Sequence, residues 1–331
     1  MDNKGILVVA LSQRGQLLPA TFELLACARS IAQATNEPIS AVAVGAKAGS
    51  FAQELVDRGA AKVFVIDSPA LDTFNDELAT KAVAELAEKE KFAKILLPAA
   101  VAGRSLAARL TVKLKAGLAP EITEVHQNGT GLKAQRAQFS GNVIADLEFK
   151  APVQVLTVQG MAFPQAEKKA GSAGEIVKVP FEAGASRVEY VSFQAEESNE
   201  IDLGAAEKIV SGGRGLGSAE GFKPVRDLAH AIGAAVGASR AVVDSGWIPY
   251  RHQVGLTGRA VRPKLYIAVG ISGQIQHLAG MSSSGTIVAI NTDAACPMME
   301  IASIGVVGDY AQILPAMIEE IKKRKGGAVA A

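Results

Sequence analysis

A chain of 331 residues is longer than one ordinary domain and favours two. Its 49% hydrophobic and 5% aromatic content, rich in alanine, valine, isoleucine and glycine, is the palette of α/β proteins with buried parallel strands. The near balance of 34 basic and 33 acidic residues argues against a nucleic-acid or membrane-surface partner, and no run free of charge and glycine is long enough to span a bilayer.

The N-terminal "MDNKGILVVAL" enters a strand (6–11) directly. It has no basic leader, long apolar segment or cleavage site, so a cytoplasmic protein is expected; a mitochondrial matrix protein that had lost its transit peptide would look the same. A helix follows at 19–35 and a strand at 39–45. The stretch 50–60 is predicted as a helix that starts on Ser50 as N-cap and stops at Gly59. Then come a strand at 62–67, a charged-faced helix at 73–91, a strand at 94–100 and a helix at 103–117. Strands separated by helices of this length imply βαβ units and a parallel sheet. Residues 120–192 change character: the Asn128-Gly129 turn and apolar/polar alternation predict hairpins, with further strands at 153–159 and 188–194. The polar, acidic stretch from 192 to 206 reads as a connection between domains. The domains are therefore placed at 1–195 and 204–331, with the linker at 196–203. Cys27 and Cys296 lack any zinc or disulfide spacing and read as buried thiols of a reducing compartment.

After the linker the βα pattern resumes, and its strand ends carry unusual loops, where open α/β sheets bind ligands. "VSGGRGLGS" (210–218) offers four glycines around Arg214. It is either a flexible turn or an anion-binding loop whose glycines let a ligand approach the backbone, though it has neither the P-loop Gly-Lys-Ser/Thr nor a G-x-G-x-x-G. "VGASRAVVD" (236–244) places Ser239 and Arg240 before a strand-like run. "HQVGLTG" (252–258) offers the hydroxyl of Thr257. In "GISGQIQHLAG" (270–280), Ser272 and Gly273 are predicted at a helix N-terminus suited to an anion, with Gln276 and His277 about a turn further on. A single helical histidine fits a structural role equally. In "AINTDAACP" (289–297), Asn291 ends a strand and suits an amide edge or a ribose. Asp309 in "VVGDY" suits ribose hydroxyls, an N-cap of the last helix, or both. Together the loops offer phosphate donors, a ribose carboxylate, arginines and an imidazole, the needs of a large dinucleotide. No Ser-His-Asp set, metal cluster or general-base dyad stands out, which points to a cofactor that brings its own chemistry.

"VSGGRGLGSAEGF", "AAVGASRAVVDSGWIP", "QVGLTGRAVRPKLYIAVGISGQIQHLAGM" and "TIVAIN" closely resemble the electron transfer flavoprotein α-subunit over about 204–325; the N-terminal half is similar to that family's first domain in strand–helix order. The resemblance implies an α/β chain of two domains, each with a mostly parallel doubly wound sheet, the second a Rossmann-like FAD-binding domain. It implies a heterodimer in which 1–195 packs on a β-subunit that carries AMP, or a second FAD in relatives that bifurcate electrons among NADH, ferredoxin and an acyl-CoA or quinone acceptor. It implies a carrier with no substrate turnover of its own, taking electrons from flavin dehydrogenases of the acyl-CoA type, as in fatty acid β-oxidation, and passing them to a quinone oxidoreductase. By the family pattern Arg214, Ser239 and the turn Ser272, Gly273, Gln274 and Ile275 meet the FAD phosphates or ribityl chain, and Asn291 and Asp309 its adenosine end. Arg240, Thr257 and His277 fall near the isoalloxazine ring, and Val254, Gly255, Leu256 and Gln276 complete the contact set. Leu256 departs from the glutamine of many members, which removes one polar contact. Cationic and hydrogen-bonding groups beside a ring that gains negative charge on reduction raise its potential.

Overall fold

The computed structural model describes residues 4–13, 15–128, 131–141, 143–192, 194, 201–204 and 206–327. Contacts divide the chain into two units, one of 1–138 and 142–194, the other of 139–141 and 195–331. Of the linker predicted at 196–203, residues 196–200 lie outside the described residues.

The first unit begins with β1 (Ile6–Gln13), whose run Ile6–Leu11 is buried on both faces, as a central parallel strand requires. A short β2 (Gln16–Leu17) pairs back on it antiparallel. The elements α1 (Ala20–Thr35), β3 (Ile39–Gly45), α2 (Ala52–Asp57), β4 (Lys62–Asp67), α3 (Asp76–Glu90), β5 (Lys94–Pro98) and α4 (Val101–Lys113) follow the predicted alternation. Helix α1 ends where Asn36 takes the left-handed conformation, which asparagine tolerates better than most residues. Helix α3 begins where the Asn75 side chain accepts from the N–H groups of Glu77 and Leu78. The main sheet has the order β11-β4-β3-β1-β5-β10-β6, parallel throughout, where β6 is Gly117–Ile122, β10 Gln154–Val158 and β11 Glu175–Lys178. A separate antiparallel sheet joins β7 (Glu124–Asn128), β8 (Gly131–Gln138) and β9 (Val143–Glu148).

Three expectations differ from the structure, and a fourth, the hairpins, is met. Ser50 is not the cap of α2: a 3₁₀ turn over Ala48–Phe51 precedes the helix, and the Ser50 hydroxyl donates to the Lys47 carbonyl at 2.7 Å. Helix α4 ends at Lys113, short of the predicted 117, because Gly117 already starts β6 in the parallel sheet. The predicted hairpins are present as β7-β8-β9, although Gly129 and Thr130 of the first turn lie outside the described residues. The strand predicted at 188–194 does not form over 188–192, and Phe193 is outside the described residues. The sheet position beside β4 is held by β11, and the 188–192 stretch pairs with no strand.

The second unit is a five-stranded parallel sheet. Its elements are β12 (Lys208–Gly212), α5 (Phe222–Ile232), β13 (Ala235–Ala238), α6 (Arg240–Asp244), β14 (Leu265–Val269), α7 (Ile275–Leu278), β15 (Thr286–Asn291), α8 (Pro297–Glu300), β16 (Ile304–Val307) and α9 (Tyr310–Gly327). One apolar cluster joins Phe222, Val225, Leu228, Ile267 and Leu314; another joins Val254, Tyr266, Met281, Ile287 and Met298. Alternate residues of β14 serve the two clusters, so both faces of the sheet are covered, the mark of a doubly wound fold. The strand order β13-β12-β14-β15-β16 is 2-1-3-4-5 within the unit. Chain direction along the sheet therefore reverses between β12 and β14, and the crevice outside their carboxyl ends is where such folds bind ligands. The strand-like run after Arg240 is helical, a correction to its β-branched pattern: β13 has already ended at Ala238, and the turn at Ser239 starts a helix that buries Val242 in the core.

Candidate functional site

A cavity of about 850 Å³ opens at this crevice, near the upper end of the ~300–1,000 Å³ typical of small-molecule sites. Its walls come from the loops after β12, β13, β14 and β15 and from the segment Gln253–Thr257. The loops after β12 and β14 interlock. Gly213 N–H donates to Val269 O and Gly215 N–H to Gly270 O, both at 2.9 Å. A Cβ on Gly215 would lie 2.8 Å from Gly270 Cα, and one on Gly213 would meet Gly270 O. Gly270 itself has φ +61°. The close approach expected of the 210–218 glycines is thus made to the neighbouring loop at these two positions. Tyr310 OH donates to Leu216 O at 2.9 Å and ties the same loop to α9.

Twelve of the predicted site residues line this one cavity: Arg214, Ser239, Arg240, Val254, Gly255, Leu256, Thr257, Ser272, Gln274, Gln276, His277 and Asn291. Gly273, Ile275 and Asp309 do not. Gly273 packs against α8, where a Cβ would meet the Met298 backbone, and Ile275 is exposed. Asp309 caps α9 by accepting from Ala311 N–H at 2.8 Å. The helix expected after Ser272 spans only Ile275–Leu278 with Gln274 as its cap, so Ser272 and Gly273 precede it and the helix dipole has little to add. Asp244, Gln253, Asp293 and Cys296 also line the cavity, beyond the residues that the sequence singles out. Asp244 follows Arg240 by four residues, a spacing that is informative only once 240–244 is known to be a helix.

The side chains divide into those holding the walls and those left for a ligand. Asn291 Nδ2 donates to Ile271 O at 3.1 Å, and its Oδ1 accepts from Asp293 N–H at 3.1 Å, so it braces two loops. Gln253 Nε2 donates to Thr257 Oγ1 at 3.0 Å, which leaves the Thr257 hydroxyl hydrogen to a ligand. Leu256 N–H donates to Gln276 O at 2.7 Å and pins the 253–257 segment to α7, while its side chain stays exposed. Arg240 pairs with Asp244 through Nε at 3.1 Å. Arg214 has no ion pair, and Ser239 Oγ no hydrogen bond, among the described residues.

His277 is the buried polar group of the site. Its Nε2 lies 2.9 Å from Tyr266 OH. Its Nδ1 is buried without a hydrogen-bond partner, although the Val254 backbone lies close enough to favour the charged ring somewhat. Burial outweighs that and pushes the imidazole down to about 4, so it is neutral at pH 7. An orphaned ring nitrogen, an unpaired guanidinium, a spare hydroxyl and the backbone N–H groups of Ser272, Gly273 and Gln274, which donate to no acceptor among the described residues, fit a long ligand with an anionic middle and a polar ring. FAD is such a molecule.

Comparison with known proteins adds the chemistry. Residues 202–282 match the family model described as electron transfer flavoprotein FAD-binding domain, and residues 6–183 match that described as electron transfer flavoprotein domain. The electron transfer flavoprotein subunit alpha of Thermoanaerobacterium thermosaccharolyticum is 41% identical over 329 residues, covering 98% of this chain and 99% of the relative. That of Megasphaera elsdenii is 37% identical over 333 residues, covering 98% of each. Protein FixB of Clostridium saccharobutylicum is 34% identical over 327 residues, covering 97% of each.

Proposed function

The chain belongs to the electron transfer flavoprotein α-subunit family, and we propose that it holds FAD in the cavity at the β12/β14 crevice and works as an electron carrier bound to a β-subunit. The observation that carries the placement is the convergence of Arg214, Arg240, Thr257 and the unpartnered His277 Nδ1 on one cavity. In this reading Arg214, Ser239 and the 272–275 turn hold the phosphates and ribityl chain. Thr257 and His277 hydrogen-bond the ring, Arg240 supplies positive charge beside it, and Asn291 and Asp309 serve the adenosine end. FAD supplies the ability to take up two electrons and release them singly. The protein's part is to bind it, orient it and set its potential through fixed charges and dipoles. The donor is a flavin dehydrogenase of the acyl-CoA type and the acceptor a quinone oxidoreductase. No helix among the described residues is long and apolar enough to cross a membrane, in keeping with the proposed cytoplasmic location.

Co-expression with a β-subunit, followed by identification of each bound nucleotide, tests this. One FAD per α-chain is expected, with AMP on the partner; a second FAD there would move the protein to the bifurcating class, and no FAD on the α-chain would overturn the proposal. A finer test separates the two roles of Asp309. Asp309→Asn keeps a capping oxygen but loses the carboxylate, and is expected to weaken FAD about tenfold with little change in stability. Asp309→Ala should lose about 1 kcal/mol of stability as well, read from urea denaturation. Unaltered FAD affinity in both variants would remove Asp309 from the site.

A further inference from the structure

Tyr266 sits within β14 with its side chain fully buried, outside the lining of the cavity. A phenol packed among Ile209, Ala268, Ile287 and Met298 must find a partner for its hydroxyl. That partner is His277 Nε2, at 2.9 Å. Two arrangements satisfy the contact. Either the phenol donates to a bare Nε2, or an Nε2–H donates to the phenolic oxygen. The second leaves the phenolic hydrogen in need of another acceptor. Ser211 Oγ lies near enough to oppose, weakly, the effect of burial on the phenol, but outside hydrogen-bond geometry, and it is buried without a partner. The first arrangement leaves no phenolic hydrogen without an acceptor. Burial also pushes the phenol well above its ordinary range, so it always has a hydrogen to give. A neutral imidazole carries one hydrogen; if Nε2 accepts, it sits on Nδ1.

We propose that Tyr266 is a positioning residue: by donating to Nε2 it holds His277 in the tautomer with its hydrogen on Nδ1, making the histidine a fixed donor toward a carbonyl of the ligand in the cavity. This rests on the flavin reading, in which that carbonyl belongs to the pyrimidine edge of the ring. In that tautomer Nδ1, the ring nitrogen left without a hydrogen-bond partner, is a donor that needs an acceptor. It also gives the site a selectivity: a ligand that presents a donor at this point meets N–H against N–H and is rejected.

The test uses the full chain labelled with ¹⁵N at its four histidines, and His277→Gln identifies the signals of residue 277. At pH 7, long-range proton–nitrogen spectra of the wild type should show a protonated Nδ1 and a bare Nε2, and Tyr266→Phe should shift the ring toward the Nε2–H form. A protonated Nε2 in the wild type overturns the proposal, with or without a bound cofactor. In FAD-loaded protein, Tyr266→Phe is expected to reduce the preference for reduced over oxidised flavin about tenfold, about 30 mV for a two-electron couple, and to have no further effect in the His277→Gln background. An equal shift in both backgrounds would make Tyr266 a packing residue only and overturn the proposal. Failure of FAD to bind the wild type would sink the flavin reading, while the tautomer spectra still decide the assignment of Tyr266.

Discussion

Acidification from pH 7 to pH 4.5 is expected to remove about 2–3 kcal/mol of stability from the C-terminal unit through His277 alone. The ring is buried, and burial holds it down to about 4 against an ordinary value of 6.5. Between those two values the unfolded chain binds a proton that the folded unit refuses, so stability rises with pH across that window. The folded state has its full advantage above about pH 6.5 and loses it progressively as pH falls toward 4, at about 1.4 kcal/mol for each tenfold rise in proton concentration. His277→Gln removes the titrating group while keeping a polar side chain. It should flatten the stability–pH curve between pH 4 and 6.5 by that amount, measured by urea denaturation at several pH values. Parallel curves for wild type and variant would mean that the ring is solvated and titrates normally in the folded chain.

The second large effect concerns Arg240. Its guanidinium lines the cavity but is bonded through Nε to Asp244, which lines the same cavity. The site therefore carries a cation and an anion side by side, and both are more than half exposed, so solvent weakens each. Arg240→Ala removes the cation and leaves the anion. Both changes oppose extra negative charge on a bound flavin, and its two-electron potential should fall by about 30–60 mV, a ten- to hundredfold change in the reduced-to-oxidised preference. Asp244→Asn should act in the opposite direction and raise the potential by a smaller amount. Spectroelectrochemistry of the two FAD-loaded variants reads both signs. A fall in both variants would assign the effect to disturbed packing of α6.

Much of the fold is legible because buried parallel strands leave a plain trace. The runs 6–11, 41–44 and 63–66 are apolar throughout, and each lies in a strand buried on both faces. The weak points are short elements whose partners decide their state. "AVVD" favours a strand by its residues, yet after the turn at Ser239 it forms a helix that buries Val242. "VEYVSF" is rich in β-branched and aromatic residues, yet 188–192 forms no strand. At the site, the chemistry-bearing residues are visible in sequence as a cluster of loops, but their division of labour is not. Asn291 looks like a ligand group in sequence, and in the structure it lines the cavity and braces its loops as well. Tyr266 looks like one more apolar strand residue, yet it holds the site's histidine. Such roles depend on contacts across the sheet, which linear spacing does not encode.

The interlocked glycines bear on how this site can be inherited or transplanted. With Gly213 and Gly215 pressed on the Gly270 backbone, the segments 211–217 and 269–274 are two halves of one joint. A chimera that takes one segment from a relative and keeps the other must match backbone to backbone, with no side chain between them to absorb an error. The two travel as a cassette. The 253–257 segment has a close backbone contact of its own, since a Cβ on Gly280 would lie 2.5 Å from Gly255 Cα, but the Leu256 side chain is exposed. The Leu256 side chain is the part of this wall with room to change while both backbone joints stay fixed.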